Sequence, residues 1–313
     1  HLAGQRAPYL VMSLKEYSDG KRSHAALQNL AKQMSDADMR DIAAHYASLS
    51  PIPVPPDVKV FSPYENGKAR AAACTSCHGE DGNSKTPGVP SLAGQQPHYF
   101  MIAAQEYLTG LRATAPMHAL VRDLNKLDLE SVALYFAAQT PAQRPAPSFG
   151  NAAAGEPLSA ACGGCHGFHG ISTDAITPSL AGQDPQYLVA STRAYRTTRR
   201  HPGMQRAIAN LSDKDIENIA AFYVVQKSRA AATEQTFAEE LSQKCNRCHA
   251  AEVTNGALTI PNIRGQDKDY LVMALRGYRD DRRVSSVMHK MSMVYGDAII
   301  EGIASYYASR PAR

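Results

Sequence analysis

All six cysteines of the chain lie in three copies of one pattern, in which two cysteines are separated by two residues and followed at once by a histidine. The copies are Cys74, Cys77 and His78; Cys162, Cys165 and His166; and Cys245, Cys248 and His249. This spacing is typical of covalent haem attachment, in which both thiols bond to the haem and the adjacent imidazole becomes an axial ligand of the iron. The sequence therefore predicts three haems c and leaves no cysteine for a disulfide.

Cysteine pairs with this spacing also occur in zinc sites, which need four ligands and take the other two from a second such pair or a histidine pair. Nothing of that form accompanies the three motifs. Each is followed instead by a proline twelve residues after the histidine and a methionine 38 or 39 residues after it. The prolines are Pro90, Pro178 and Pro261, and the methionines are Met117, Met204 and Met288. Because this arrangement recurs three times, it favours haem over zinc or a redox dithiol.

A longer repeat surrounds these motifs and occurs four times. Its most regular part is Leu-Ala-Gly-Gln followed by a tyrosine, at residues 2–9, 92–99 and 180–187, with Ile-Arg-Gly-Gln and a tyrosine at 263–270. A second tyrosine, an arginine and a final helical pattern follow in each copy. The chain thus contains four copies of a module but only three haem-attachment motifs.

The motifs resemble those of tandem class I cytochromes c of the cytochrome c4 and c553 type. In that family the haem motif and a glycine precede Pro-x-Leu-Ala-Gly-Gln, a Gly-x-Arg segment, the ligand methionine and a Leu-Ser-Asp helix start. Residues 74–79, 90–95, 110–112 and 117 follow this order, as do 162–167, 178–183, 204 and 211–213. The third copy departs from it at Ala250, Arg264 and residues 295–297, although its ligands are in place. The resemblance covers nearly the whole chain apart from the linkers.

The resemblance implies roles for three sets of residues. Each proline carbonyl would accept a hydrogen bond from the axial histidine, and each methionine would be the second axial ligand. Arginines would bind the haem propionates, since a guanidinium is a fixed fork of donors that suits a carboxylate. They are Arg112, Arg200 and Arg283, and Arg199 competes for the place of Arg200. A turn proline, a core methionine and a solvated arginine are the plain structural alternatives.

The first copy, residues 1–50, lacks a haem motif and has Leu27 at the place of the ligand methionine. Two interpretations follow: a haem-binding half lies upstream of His1, or the block is a degenerate remnant that packs against its neighbour. A leucine cannot ligate iron, so Leu27 favours the remnant. We therefore expect a haem-free partial module whose apolar face, including Leu10 and Leu30, is covered by the second module or by another chain.

Prolines mark the boundaries between copies. Residues 51–64 and 141–148 are predicted proline-rich linkers, because clustered prolines hold a chain extended. The predicted modules are 1–50 without haem, 65–140 with the first haem, 149–229 with the second and 230–313 with the third. Apolar residues recur at helical spacing and no alternating strand pattern appears. We therefore expect an all-α fold of tandem small cytochrome c domains.

Composition narrows the range of partners and compartments. The formal net charge of +4 becomes about −2 when two propionates on each of three haems are counted, which gives no basis for nucleic-acid binding. No apolar stretch approaches about eighteen residues, so no membrane span is predicted. Because haem c is attached outside the cytoplasm in bacteria, we expect an exported, periplasmic protein, with any membrane association supplied by a partner.

Iron held by histidine and methionine has no open position, so the sequence predicts transfer of single electrons between periplasmic redox partners and no enzymatic activity. A haem enzyme, such as a peroxidase or a thiosulfate-oxidising dihaem protein, needs an open or labile iron position. The three matched methionines and the lack of a spare cysteine ligand argue against it. We further expect a cytochrome subunit of a dehydrogenase or respiratory assembly, with a catalytic subunit, a terminal oxidase or another cytochrome as partners and the haem-free block as a docking element.

Overall fold

A computed structural model of the chain describes residues 1–55, 58–112, 115–230, 239–250 and 259–312. Over these residues every regular element is a helix, so the all-α prediction is confirmed. None of the helices in the described ranges is long and apolar enough to cross a membrane. Part of the predicted linker 51–64, at residues 56–57, and the boundary near residue 230, at 231–238, lie outside the described residues. The module boundaries stay a prediction.

The helices form four groups along the chain, one for each copy of the repeat. The first group is α1 (Ala7–Ser18), α2 (Ala25–Ala31) and α3 (Asp36–Ser48). The second is α4 (Pro63–Ala71), α5 (Thr75–His78), α6 (Pro97–Leu108), α7 (Ala115–Arg122) and α8 (Lys126–Ala138). The third is α9 (Ala152–His166), α10 (Pro185–Ala194), α11 (Pro202–Ile208) and α12 (Asp213–Val224). The fourth is α13 (Glu239–His249), α14 (Lys268–Arg279), α15 (Ser286–Ser292) and α16 (Asp297–Ala308).

The chain divides into two compact units, residues 63–234 and residues 1–62 together with 235–313. In the first of these, the helix before each haem motif packs on the last helix of its group, α4 on α8 and α9 on α12. In the second, α1 contacts α2 and α3, and α14 contacts α15 and α16. The haem-free block was expected to be covered by the second module or by another chain. It shares its compact unit with the last module instead.

Glycines allow the helix before a haem motif to lie directly against the last helix of its group. A Cβ atom on Gly67 in α4 would lie 2.0 Å from the carbonyl oxygen of Ser131 in α8. A Cβ atom on Gly155 in α9 would lie 2.0 Å from the carbonyl oxygen of Asn218 in α12. Side-chain carbons do not approach oxygen this closely, so any larger residue would push the two helices apart. This close packing fixes α9, which ends in the second haem motif.

Buried aromatic rings on the last helix complete each haem-motif core. Phe136, Tyr223 and Tyr307 are at most 1% exposed and occupy the same place in α8, α12 and α16. The Tyr307 hydroxyl donates to the carbonyl of Ser242 in α13 at 3.1 Å, so the last helix is tied to the helix that carries the motif. Tyr46 has this place in α3 of the haem-free block and is only half-buried.

Candidate haem sites

The three motif histidines are buried and hydrogen-bonded to the three prolines. His78, His166 and His249 are 4%, 7% and 9% exposed. Their Nδ1 atoms lie 2.8, 2.9 and 2.9 Å from the carbonyl oxygens of Pro90, Pro178 and Pro261. A carbonyl oxygen only accepts, so each Nδ1 carries the proton and donates it. Nε2 of each ring then has the lone pair that a metal ligand needs.

The surroundings keep these imidazoles neutral. Burial lowers the pKa of all three rings because it disfavours the charged form, and the bond to the proline carbonyl opposes this in part. The positive charge of Arg6 lowers the pKa of His249 further. A neutral imidazole is the form that binds a metal, so the three sites favour ligation.

The two cysteines of each motif have different environments. The first ones are half-buried against the aromatic cores: Cys74, Cys162 and Cys245. Burial raises the pKa of these three thiols. The second ones are exposed: Cys77, Cys165 and Cys248. The described part of the chain contains no group of three or more histidine, cysteine or acidic side chains that could hold a metal ion, which a zinc site made of protein ligands alone would require.

The three predicted methionine ligands occupy one structural position. Met117, Met204 and Met288 are each the third residue of a short helix, α7, α11 and α15. The Met204 N–H donates to Nδ1 of His201 at 3.2 Å, and the Met288 N–H donates to Oγ of Ser285 at 3.3 Å. All three side chains are half-buried. Two thiols, a neutral imidazole and a thioether are the donor set that haem c takes, so the residues fit that group.

In the haem-free block, Leu27 occupies the position that the predicted ligand methionine holds in the other modules. It is the third residue of α2, and its N–H donates to Nδ1 of His24 at 3.3 Å, as that of Met204 does to His201. Leu27 therefore lies at the position that the sequence spacing predicts for it. Met34 lies beyond the end of α2, outside this position.

In the unit of residues 63–234, two arginines lie over tyrosine rings. Arg112 lies 5.6 and 5.7 Å from the ring centres of Tyr99 and Tyr107, and Arg199 lies 5.8 and 5.5 Å from those of Tyr187 and Tyr195. Arg112 also pairs with Glu106. Although burial raises the pKa of Tyr187, the charges of Arg199 and Arg112 outweigh it and lower that pKa. The cluster is therefore a buried network of phenols and guanidiniums.

The prediction that Arg200 is equivalent to Arg112 and Arg283 is wrong. Arg200 is exposed, and Arg199 makes the tyrosine contacts. The physical reason is that the turn after α10 is one residue shorter than the corresponding turn of the other copies. In this turn the N–H of Arg199 donates to the carbonyl of Ala194 at 2.9 Å. The same missing residue makes the histidine-to-methionine spacing 38 here and 39 elsewhere. Counting five residues back from each methionine would have selected Arg199.

The unit that contains the haem-free block has an equivalent cluster. Arg22 lies 5.6 Å from the ring centres of both Tyr9 and Tyr17, and Arg283 lies 5.9 and 4.8 Å from those of Tyr270 and Tyr278. Arg283 donates to the hydroxyls of Tyr9 at 3.2 Å and Tyr270 at 3.3 Å. Nε of Arg283 is buried and has no hydrogen-bond partner among the described residues. The two units therefore repeat one arrangement, with one set of residues supplied here by a block that has no haem motif.

The contacts of the repeated glutamine were not predicted from the sequence. Gln183 donates to the carbonyl of Ser91 at 2.9 Å and accepts from its N–H at 2.6 Å. Gln95 bonds Ser179 in the same way, at 3.1 and 2.9 Å. Ser91 and Ser179 directly follow the prolines that hold His78 and His166. The signal was present in the sequence, because the glutamine occurs in all four copies, including the one without a haem motif.

Comparison with known proteins gives the same class of protein. Residues 150–222 match the family described as cytochrome c oxidase, cbb3-type, subunit III. Cytochrome c4 from Pseudomonas aeruginosa is 36% identical over 173 residues, which cover 50% of this chain and 85% of that protein. The thiosulfate dehydrogenase electron acceptor from Thiomonas intermedia is 28% identical over 172 residues, covering 50% and 79%. Reduced recombinant cytochrome c4 from Pseudomonas stutzeri aligns at a TM-score of 0.47 and 31% identity, covering 52% of this chain and 98% of that one.

Tandem helical modules with histidine, proline and methionine in register define a class I c-type cytochrome. The identity to the Pseudomonas aeruginosa protein, over most of its length, shows that the chain belongs to the cytochrome c4 family. The predicted electron-transfer function is confirmed by these relatives, which are electron-transfer cytochromes.

Proposed function

We propose that the chain carries three haems c, one at each motif, and passes single electrons along them between periplasmic redox partners. The observation that carries this proposal is the threefold recurrence of a buried histidine bonded to a proline carbonyl, with a methionine third in a short helix. Cytochromes c4 carry two haems, and their matches cover about half of this chain. The third motif belongs to the compact unit that includes the haem-free block.

Each residue set has a distinct role in this proposal. Haem c supplies the one-electron iron chemistry when bound. The two thiols of each motif would tether it, the proline carbonyl would fix the tautomer and the plane of the imidazole, and the methionine would be the second protein ligand of the iron. A thioether is a weak donor that favours ferrous iron, so these methionines would keep the reduction potential of a bound haem high. Arg112, Arg199 and Arg283 serve as donors to the haem propionates.

We further propose that the chain is the cytochrome subunit of a dehydrogenase or respiratory assembly. The similarity to a thiosulfate dehydrogenase electron acceptor supports a catalytic dehydrogenase subunit as the electron donor. A terminal oxidase or another cytochrome would then be the acceptor. Cytochromes c4 are periplasmic, which supports the same compartment here, with membrane association through a partner.

A reductive titration under argon, followed by exposure to carbon monoxide, tests the electron-transfer proposal. The protein should take up three electrons per chain, and its reduced spectrum should stay unchanged by carbon monoxide because each iron is closed by a methionine. Met204→Ala is the positive control, since it opens one iron to the gas. Carbon monoxide binding by the unmodified protein, or rapid turnover of hydrogen peroxide, would instead support the haem-enzyme interpretation.

A further inference from the structure

In each compact unit, a glutamine from one half holds the backbone next to the proline of the other half. Within residues 63–234 the arrangement is reciprocal, because Gln183 is hydrogen-bonded to Ser91 beside Pro90 and Gln95 is hydrogen-bonded to Ser179 beside Pro178. Each glutamine makes two hydrogen bonds to one residue, one with its N–H and one with its carbonyl, and we call this pair of bonds a glutamine grip. The proline carbonyl that orients an axial histidine is thus fixed by the partner half.

The third haem motif receives the same grip from the haem-free block. Gln5 donates to the carbonyl of Asn262 at 2.8 Å and accepts from its N–H at 2.8 Å. Asn262 directly follows Pro261, whose carbonyl accepts from Nδ1 of His249 at 2.9 Å. Both Gln5 and Asn262 are buried, so the two bonds are shielded from water.

Arg6 extends this grip to the other side of the proline and to the haem motif itself. Its guanidinium donates to the carbonyl of Ile260 at 3.2 Å and to the carbonyl of Ala250 at 3.0 Å. Ile260 precedes Pro261, and Ala250 follows His249. Gln5 and Arg6 together hold the backbone on both sides of the proline and immediately after the histidine.

We propose that Gln5 and Arg6 are positioning residues for the third haem and set its reduction potential from the haem-free block. Gln5 keeps the Pro261 carbonyl in line with Nδ1 of His249, and that hydrogen bond sets how strongly the imidazole donates to iron. Arg6 adds a positive charge near His249, which favours the ferrous over the ferric state. The proposal rests on the proposed function, because it requires a haem at the third motif.

This role explains what a block without a ligand methionine contributes. The reciprocal glutamine of the last module, Gln266, donates to the carbonyl of His1 at 2.9 Å. The haem-free block supplies the half of the third site that a haem-bearing module supplies elsewhere.

Four variants of the full holoprotein test the proposal: Gln5→Ala, Arg6→Gln, Arg6→Lys and the control Arg40→Gln. Arg40 is an exposed arginine of the same block, so its variant removes one charge without touching the grip. Intact mass first establishes that all three haems are attached. Redox titration then gives the three potentials, and a Met288→His protein identifies the one that belongs to the third haem. Exchange of the His249 Nδ1 proton is followed by NMR of the reduced, ¹⁵N-histidine-labelled protein.

Arg6→Gln should lower the potential of the third haem alone, and Arg6→Lys should restore part of it because the charge returns without the two carbonyl bonds. Gln5→Ala should raise that potential, since a weaker bond to Pro261 makes the imidazole a poorer donor, and should speed exchange of its proton about tenfold. Arg40→Gln should change neither. With three haems present, an unmoved third potential and an unmoved exchange rate would overturn the inference, as would equal shifts at all three haems. A chain with only two haems would instead refute the proposed function.

Discussion

Replacing Gly155 by alanine tests the close packing that positions the second haem motif. The new Cβ would lie 2.0 Å from the carbonyl oxygen and 2.4 Å from the carbonyl carbon of Asn218, so α9 has to move away from α12 by about 1 Å. Overpacking of this kind costs about 1 to 3 kcal/mol, and the better helix propensity of alanine returns about 0.5 to 1 kcal/mol. The expected net loss of unfolding free energy is about 1 to 2 kcal/mol.

The matched control is Gly164→Ala in the same helix. A Cβ there has no atom within 4 Å apart from its chain neighbours and the nearby backbone of its own helix, and the equivalent positions in the other motifs hold Ser76 and Arg247. Calorimetry of the holoprotein should show a fall of about 2 to 8 °C in the unfolding midpoint of the 63–234 unit for Gly155→Ala. The midpoint for Gly164→Ala should be unchanged or slightly raised. Equal midpoints for the two variants would refute the proposed contact between α9 and α12.

Three further perturbations have distinct expected outcomes. Met204→Ala should remove about one third of the near-infrared methionine-to-iron absorption. Met291 lies in α15 outside the ligand position, so Met291→Ala should leave the band intact. An intact band in Met204→Ala, or a loss of absorption in Met291→Ala, would contradict the ligand assignment. Deletion of residues 1–50 should leave three haems by mass but lower the unfolding midpoint of the unit that contains α16. Loss of a haem would show that the block binds one. Hydrogen bonds from Ser212 lower the pKa of Asp215, so this carboxylate stabilises the fold above the ordinary carboxyl pKa and loses its effect as the pH falls. The midpoint difference between Asp215→Asn and the parent protein should therefore shrink as the pH falls below the ordinary carboxyl pKa of about 3.9, and a difference that does not change with pH would refute the capping role.

The features that could be predicted from the sequence are those fixed by local spacing. A proline twelve residues after the motif histidine reaches its ring in all three copies, because the intervening loop is short and repeated. The helices follow from apolar spacing and from capping pairs such as Ser212 with Asp215, whose reciprocal hydrogen bonds begin α12. These signals depend on neighbours within about one turn or one loop.

The features that could not be predicted depend on residues far apart in the chain. Apolar periodicity shows that a helix face is covered but gives no information on which segment covers it, so the haem-free block was expected to be covered by the second module or by another chain. Gln5 and Asn262 are 257 residues apart, and only the fold brings them together. The Arg199 error had a different cause, since a one-residue change in a turn shifts every later residue of the module. Aligning each copy from the methionine backward corrects for that shift.

Intact mass under denaturing conditions tests the central claim most directly. For residues 1–313 produced in a host that attaches haem c, we predict the polypeptide mass plus three haems. A variant with both Cys245 and Cys248 changed to alanine should carry two, because the tether at the third motif is removed. An unmodified chain with only two haems, or a double variant that still carries three, would contradict the account.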